Sequence, residues 1–300
     1  MSPWLFNVFM DSAVKEMDRV GRGVQLVLNG IQWDLSVLLY ADDAVLISNC
    51  RMNLEHLVRE FERVCSMKKL KINPGKSKVM CVMNELREIR HGGMVWDGVR
   101  VGGEELQKVS LFRYLGVDVG ERGGLGEEMN HRVAEGKRVL GALKGIWGRG
   151  GLSREIKVKL FESICLPTIL YGCETWSLNA KVRRRMEVLE MDGLRSACNL
   201  RRIDRVRNER IKQLCNWEKG VVLRMEQGVL RWFGHVIRMN DGRIAKKVFD
   251  SNVEGDRGRG RPKWRWMDGV RVVLGNRNLS LEEGMRAAED RNVWKGVVYG

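Results

Sequence analysis

The sequence has no run of about 18 or more apolar residues, so no transmembrane helix is expected. Its first residues, Met1 to Asn7, lack the basic segment and the cleavage site of a signal peptide. We therefore predict a protein that is neither secreted nor anchored in a membrane. It is expected to be intracellular, in the nucleus, the cytoplasm or both.

No C-x-x-C pair occurs, and the seven cysteines are an odd number. A disulfide framework and a zinc ribbon are therefore both disfavoured. Without export, all seven are expected to be reduced thiols. They are Cys50, Cys65, Cys81, Cys165, Cys173, Cys198 and Cys215.

Positive charge is the strongest feature of the composition. The 300 residues include 53 Lys and Arg against 38 Asp and Glu, a net charge of +15, with a pI near 9.7. Residues 1–150 hold 22 basic and 19 acidic groups, whereas residues 151–300 hold 31 and 19. Such an excess favours a polyanion, either nucleic acid or an acidic membrane surface. No amphipathic anchor supports the membrane, so we expect nucleic acid.

The first part of the chain is predicted to mix helix and strand. Ser2-Pro3 is a good helix start, and apolar residues follow at helical spacing at Phe6, Phe9, Ala13 and Met17. Short apolar runs predict strands over Val24–Leu28, Leu35–Leu39, Ala44–Ile47, Val79–Met83 and Leu111–Val119. Asn53 is expected to cap a helix whose apolar face carries Leu54, Leu57, Val58, Phe61, Val64 and Cys65.

After Gly120–Gly126 the pattern becomes that of amphipathic helices. One carries Met129, Val133, Leu140 and Leu143. Another starts at Ser153 and carries Ile156, Leu160, Phe161 and Ile164 before it ends ahead of Pro167. Further helices are predicted over residues 180–198 and 221–236. Glycine and charge replace the apolar periodicity near residues 241–260. We therefore expect an α+β fold, a small antiparallel sheet with helices followed by a mainly helical part, with domains at residues 1–120, 121–240 and 241–300.

Two adjacent acids, Asp42 and Asp43, separate two apolar runs, which predicts a hairpin with both acids at its tip. Like charges this close repel unless a cation relieves them, and Mg²⁺ favours one or two carboxylates together with substrate phosphates. That is the arrangement of a two-metal nucleotidyl-transfer site. Taken alone, Tyr40-Ala41-Asp42-Asp43 is more typical of a solvated turn.

Seven sequence blocks stand in a fixed order along nearly the whole chain: Ser2–Asn7, Leu39–Asp43, Leu70–Lys78, Phe112–Val117, Leu170–Trp176, Arg231–Val236 and Gly258–Lys263. Together they resemble reverse transcriptases of non-long-terminal-repeat retrotransposons. In that family they are the start of a palm helix, the catalytic hairpin, a lysine-bearing block, the strand supporting the primer end, a thumb signature and two C-terminal segments. The resemblance implies a partial polymerase palm, then a helical thumb and a basic C-terminal segment.

The resemblance also implies roles for matching residues. Asp42 would be the metal ligand of the hairpin and Asp43 its less directly engaged neighbour, with Mg²⁺ or Mn²⁺ as the metal. Tyr40 would lie under the terminal base pair. Lys76 or Lys78 would approach the incoming triphosphate, and the spacing allows either of the two. The alternative for both lysines is a solvated loop without a binding role. The implied partners are an RNA template, a DNA primer and deoxynucleoside triphosphates.

The family's palm needs another catalytic aspartate on a strand before the block that begins here at Ser2, and it needs fingers. Asp11 and Asp18 lie on or beyond the predicted palm helix and are poor substitutes. We therefore expect an incomplete two-metal site and little or no polymerase activity. A non-catalytic nucleic-acid-binding protein derived from such an element is the alternative, and a product without function is a third.

Basic residues are dense in the second half, where residues 201–247 hold 13 basic and five acidic groups. Contacts of such residues with phosphates are independent of sequence and sensitive to salt. A solvated helix face or a linker is the alternative for each of them, and Trp264 or Trp266 is a candidate for base stacking. The predicted nucleic-acid-binding residues are Arg201, Arg202, Arg205, Arg257, Arg259, Arg261 and Lys263.

Overall fold

The computed structural model describes residues 3–82, 98–148, 151–253 and 264–300. The chain forms two compact units. Unit 1 comprises Met1–Phe112, Gly120–Gly123 and Asn240–Gly260, and unit 2 comprises Arg113–Val119, Gly124–Met239 and Arg261–Gly300. The α+β fold class is confirmed, whereas the three-domain division stays a prediction.

Unit 1 combines short strands with three helices in its described residues. Its elements are α1 (Pro3–Asp18), β1 (Val24–Leu28), β2 (Ile31–Leu35), β3 (Val37–Tyr40), β4 (Asp43–Leu46), α2 (Arg51–Met67), β5 (Lys78–Val79), β6 (Arg100–Val101), β7 (Glu104–Glu105), β8 (Gln107–Lys108), α9 (Ile244–Asp250) and β11 (Asn252–Val253). The strand order of the largest sheet is β11-β1-β2, while β3 pairs with β4 and β6 with β7, all antiparallel. The two-residue β5 and β8 pair in parallel.

A second hairpin precedes the helices of unit 2. It consists of β9 (Leu111–Tyr114) and β10 (Val117–Gly120), and the helices are α3 (Gly126–Trp147), α4 (Arg154–Leu160), α5 (Leu166–Ile169), α6 (Ala180–Ala197), α7 (Asn208–Leu214), α8 (Val221–Ile237), α10 (Trp266–Gly275), α11 (Leu281–Glu289) and α12 (Arg291–Tyr299). A π turn, Phe161–Cys165, joins α4 to α5, and 3-10 turns lie at Cys173–Thr175 and Arg202–Asp204.

The helical predictions hold where the apolar stripe is long. Helices α1, α2, α3, α6 and α8 lie where the periodicity places them. The cap predicted at Asn53 is wrong, because α2 begins after Cys50 and its N-terminus has no side-chain cap. The predicted end before Pro167 is also wrong. In the π turn the Leu166 N–H bonds to the Phe161 carbonyl, and Pro167, which has no N–H, sits in the first turn of α5.

Three strand predictions need correction. The run Leu35–Leu39 is not one strand, because Ser36 separates β2 from β3. Leu111–Val119 folds back on itself at Leu115 and Gly116, which both have positive φ. The run from Val79 gives only the two-residue β5, and Met83 lies outside the described residues, as does Ser2.

The core of unit 1 anchors the β3–β4 hairpin. Val37 of β3 is buried among Met10, Ala13 and Met17 of α1 and the α2 side chains, and Leu39 and Leu46 pack against the same cluster. Leu70 and Ile72, which follow α2, join it as well. Burying such side chains stabilises a fold by about 1.5–3 kcal/mol each, so the base of the hairpin is held firmly while its tip is free.

The core of unit 2 depends on close helix approaches. Three helix glycines face large side chains of neighbouring elements so closely that a Cβ would not fit. They are Gly136 on α3 against Ile169 and Leu189, Gly193 on α6 against Phe161, and Gly234 on α8 against Trp294. The last helices are capped by side chains. Ser280 and Glu283 form a reciprocal capping box on α11, and Asp290 caps α12.

Candidate active site and nucleic-acid surface

The predicted acidic hairpin is present. Tyr40 is the last residue of β3 and pairs with Asp43, the first residue of β4, so Ala41 and Asp42 form a two-residue connection. Tyr40, Asp42 and Asp43 are all exposed, Tyr40 to 62%. The hairpin thus presents an aromatic ring and two carboxylates to solvent within four consecutive residues.

Ala41 has an unusual backbone conformation, with φ of 52° in the left-handed region. A residue with a Cβ adopts this region at a cost of about 1–2 kcal/mol. This cost is offset by the pairing of β3 with β4 below the turn and by two hydrogen bonds at the base of the hairpin. The Ile47 N–H donates to the Ser36 carbonyl over 2.8 Å, and the Ser48 hydroxyl donates to the Arg22 carbonyl over 2.8 Å. A positive φ at the first central residue is what a two-residue hairpin connection requires, so the loop length accounts for this conformation.

Two exposed adjacent carboxylates suit one hard divalent cation that keeps several waters and shares phosphate oxygens with a substrate. They do not form a closed protein cage. Within residues 3–82, 98–148, 151–253 and 264–300, no group of three or more His, Cys, Asp or Glu side chains could hold a metal ion. The donor set of the described hairpin therefore fits a site that substrate completes.

The two candidate lysines differ in their surroundings. The Lys78 ammonium donates to the Gln107 side chain over 2.8 Å and to the Gly75 carbonyl over 3.2 Å. Lys76 is exposed, and its ammonium has no hydrogen-bond or ion-pair partner among the described residues. The Lys76 backbone N–H bonds to Asn73, which shapes the turn. Lys76 is therefore the freer of the two to meet a phosphate.

The turn of the β9–β10 hairpin, which the resemblance assigns to primer support, belongs to unit 2 and is braced there. Leu115 has φ of 49° and Gly116 has φ of 78°. The Tyr171 hydroxyl donates to the Leu115 carbonyl over 2.9 Å, and the Arg132 guanidinium donates to the Gly116 carbonyl and stacks on the Tyr171 ring at 4.9 Å. Both carbonyls of the strained turn are thus satisfied by side chains.

Beneath this turn lies a buried ion pair. Glu128 and Arg132 stand one helical turn apart on α3 and bond over 2.5 Å, with side chains 1% and 7% exposed. The second oxygen of Glu128 accepts the Asp118 N–H over 2.7 Å. Sequence reasoning assigned no role to Tyr171, Glu128 or Arg132. The signal available was the Glu-x-x-x-Arg spacing, which is common on exposed helix faces and says nothing about burial.

Asp118 gives this hairpin a pH dependence. A hydrogen bond of 2.8 Å from Arg113 holds the pKa of Asp118 below its ordinary value of 3.8, despite partial burial. A carboxyl whose pKa is lowered by folding stabilises the fold above its unfolded pKa, and this contribution is lost as the pH falls through the folded pKa. We expect Asp118→Asn to flatten the fall in melting temperature below about pH 4. Asp241→Asn, at an exposed turn, is the control and should retain the wild-type slope.

The predicted thumb arginines lie on exposed turns between α6 and α7. Arg202 and Arg205 join Arg184 and Arg195 of α6 in lining an open cleft of about 430 Å³. Arg202 is paired with Asp192 at 2.9 Å, and Arg195 bonds to Asn208. In the described part of the chain neither Arg184 nor Arg205 has an ion-pair partner. Arg201 faces a second cleft, of about 300 Å³, with Lys144.

The predicted nucleic-acid-binding residues of the basic C-terminal segment are not described by the structure. Arg257, Arg259, Arg261 and Lys263 lie outside the described residues, so their role stays a prediction. Trp264 is 46% exposed. Trp266 is built into unit 2: its indole N–H donates to the Glu174 carbonyl over 2.8 Å, and its ring lies 6.4 Å from that of Phe233. Trp266 therefore has a structural role in unit 2, and base stacking by Trp264 or Trp266 stays a prediction.

Comparison with known proteins agrees with this geometry. Residues 1–119, which include the acidic hairpin, match the family model described as reverse transcriptase (RNA-dependent DNA polymerase). The match covers α1, all of the strands of unit 1 up to β8, and the β9–β10 turn. No helix among the described residues is long and apolar enough to span a membrane.

Similar curated proteins extend the comparison beyond this part. A putative uncharacterized transposon-derived protein of Caenorhabditis elegans is 27% identical over 273 residues, which cover 88% of this chain and 95% of that protein. Two retrovirus-related Pol polyproteins from type-1 retrotransposable elements R1 of Nasonia vitripennis are 26% and 23% identical, over 58% and 54% of this chain. The alignments span 41% and 51% of the two polyproteins, so the chain matches about half of their length.

Proposed function

We propose that the chain contains the palm active-site hairpin of an RNA-directed DNA polymerase of a retrotransposon. The match of residues 1–119 to the reverse transcriptase family and the similarity to retrotransposon proteins support this proposal. The observation that carries the proposal is the exposed Tyr40–Asp43 turn, with Asp42 and Asp43 side by side above a buried base.

In this proposal Asp42 and Asp43 hold Mg²⁺ or Mn²⁺. The metal, when bound, lowers the pKa of the primer 3′-hydroxyl and neutralises charge on the triphosphate. The protein's own part is positioning. Tyr40, with its ring in solvent at the end of β3, supports the terminal base pair. Lys76, whose ammonium has no partner among the described residues, orients the triphosphate, and Lys78 braces the loop through Gln107.

We propose that the 300-residue chain extends primers poorly. The resemblance implies a further palm aspartate, and losing one ligand of a two-metal site removes much of the transition-state positioning. The test is primer extension by the purified full chain on an RNA template with Mg²⁺ or Mn²⁺. Little or no extension is expected, and robust extension would overturn the impairment while leaving the palm assignment intact.

Any extension that is measured should depend on Asp42. Asp42→Asn keeps the size of the side chain but removes the ligand charge, and removal of one transition-state contact costs on the order of 100-fold in rate. Asp241→Asn is the matched control, since it is also an exposed aspartate in unit 1. Equal activity in Asp42→Asn and wild type would rule out the hairpin as the active site.

A binding role without catalysis is the second candidate, and the four-arginine cleft favours it. Arginine pairs phosphates in a bidentate manner, and neither Arg184 nor Arg205 has an ion-pair partner among the described residues, although Glu187 also lines the cleft. We expect the double change Arg184→Gln and Arg205→Gln to weaken binding of an RNA–DNA duplex several-fold. It should also lower the slope of log affinity against log salt by about 1 to 2.

The matched control for the cleft is Arg59→Gln with Arg100→Gln, the same charge loss at exposed positions of unit 1. It should retain the wild-type salt slope. Equal losses in both double variants would mean that total charge, and not the cleft, governs binding. Loss of binding with unaltered residual polymerisation on excess template would separate the binding role from the catalytic one.

A further inference from the structure

Two cysteines meet in unit 2. Cys198 and Cys215 have sulfur atoms 3.3 Å apart, although 17 positions separate them in sequence. A disulfide has a sulfur–sulfur distance of about 2.05 Å, so the atoms need to approach by only about 1.2 Å. All seven cysteines are in the described ranges, and no other two have sulfur atoms in contact.

The backbone holds both thiols in place in the same way. Cys198 ends α6 and Cys215 ends α7, and each is followed by an asparagine with left-handed φ, Asn199 at 55° and Asn216 at 48°. Each helix then closes with a hydrogen bond to the carbonyl five residues earlier: Leu200 N–H to the Arg195 carbonyl and Trp217 N–H to the Lys212 carbonyl, both 2.9 Å. Helix ends closed in this way are fixed, so the thiols are preorganised.

The two thiols differ in access. Cys198 is partly exposed, whereas Cys215 is 7% exposed and contacts the Leu194 carbonyl. Burial, followed by the hydrogen bond with Cys198, raises the pKa of Cys215 to about 12. Cys198 is therefore the thiol that a solvent oxidant reaches first, and Cys215 is placed to react second.

We propose that Cys198 and Cys215 form a redox modification site, a dithiol that a peroxide converts to an intramolecular disulfide. The Cys198 sulfur attacks one oxygen of hydrogen peroxide, the O–O bond breaks, and a sulfenic acid and water form. The Cys215 thiol then attacks the Cys198 sulfur, the S–O bond breaks, and the departing hydroxide takes the Cys215 proton and leaves as a second water. In total two thiols lose two electrons and two protons, and one peroxide becomes two waters.

The disulfide would close the loop of residues 199–214, which carries Arg201, Arg202, Arg205, Arg207, Arg210 and Lys212. A cross-link of this length restricts the unfolded chain, so the oxidised protein is expected to melt several degrees higher than the reduced protein. The proposal is independent of polymerase activity and of nucleic-acid binding.

Peptide mapping of the full chain treated with hydrogen peroxide tests the proposal. Trypsin cleaves after Arg195, Arg201, Lys212 and Lys219, so the disulfide joins the peptides 196–201 and 213–219. We expect this linked pair in the mass spectrum, its loss after dithiothreitol, and a matching change in melting temperature. Cys198→Ser should abolish both effects, whereas Cys50→Ser, at an exposed cysteine without a sulfur neighbour, should retain both.

A sulfenic-acid probe keeps the proposal falsifiable if Cys198→Ser folds poorly. In Cys215→Ser the probe should trap Cys198, because no second thiol resolves the sulfenic acid. A covalent dimer through Cys198, or a probe adduct on Cys198 in the wild type without the linked peptides, would overturn the proposal.

Discussion

Gly234→Ala is expected to destabilise unit 2 by about 3 kcal/mol or more. A Cβ on this residue of α8 would lie 2.0 Å from the indole nitrogen of Trp294 and 2.3 Å from the adjacent ring carbon. Trp294 cannot swing aside at little cost, because it is 3% exposed and its N–H donates to the Leu230 carbonyl over 2.9 Å. The added methyl group would force α12 away from α8 and break that bond.

Denaturant unfolding measures this effect, and Gly141→Ala is the matched control. Gly141 is also a helix-interior glycine, on α3, but a Cβ there meets nothing within 4 Å. Its replacement should stabilise the protein by about 0.5–1 kcal/mol, since alanine is the better helix former. A small loss at Gly234, comparable to ordinary surface substitutions, would show that α12 does not pack on α8 as described.

Glu128→Gln is the second change with a large expected effect. It would leave the Arg132 guanidinium, 7% exposed, without its anionic partner, and removal of one member of a buried pair costs about 3–5 kcal/mol. The amide would also weaken the bond from the Asp118 N–H. Because Arg132 bonds to the Gly116 carbonyl, the β9–β10 turn should loosen with it.

Hydrogen exchange measures the loosening of the β9–β10 turn, and denaturant unfolding measures the loss of global stability. We expect faster exchange at the β9–β10 turn as well as lower global stability. Glu135→Gln removes the partly buried partner of the exposed Arg138 on the same helix and should change neither measurement. The double change Glu128→Leu with Arg132→Met should recover part of the stability, because no charge remains buried, while the turn stays loose. Recovery of the turn as well would refute its dependence on Arg132.

The sequence predicts those parts of the fold that depend on local pattern. Tyr40–Asp43 was expected at a hairpin tip because two apolar runs flank two acids, and the structure has it there. Helices α6 and α8 follow from long apolar stripes. The family resemblance, which rested on ordered blocks, is confirmed by the reverse transcriptase match over residues 1–119.

The missed features depend on contacts between distant residues. Leu115 has a positive φ that a leucine seldom adopts, and Tyr171, 56 positions later, bonds to its carbonyl. The burial of Glu128 and the meeting of Cys198 with Cys215 likewise arise only in the packed unit. Helix α11 is a different case. Its Ser280–Glu283 capping box can be recognised in the sequence, but no helix is predicted there.

Manganese binding to the full chain tests the central claim, that Asp42 and Asp43 form a polymerase-type metal site. The electron spin resonance signal of free Mn²⁺ would be followed with and without a deoxynucleoside triphosphate. We expect weak binding that tightens at least several-fold with the triphosphate, is lost in Asp42→Asn, and is retained in Asp241→Asn. Binding that is unaffected by Asp42→Asn, or that the protein does not enhance beyond the free nucleotide, would contradict the account.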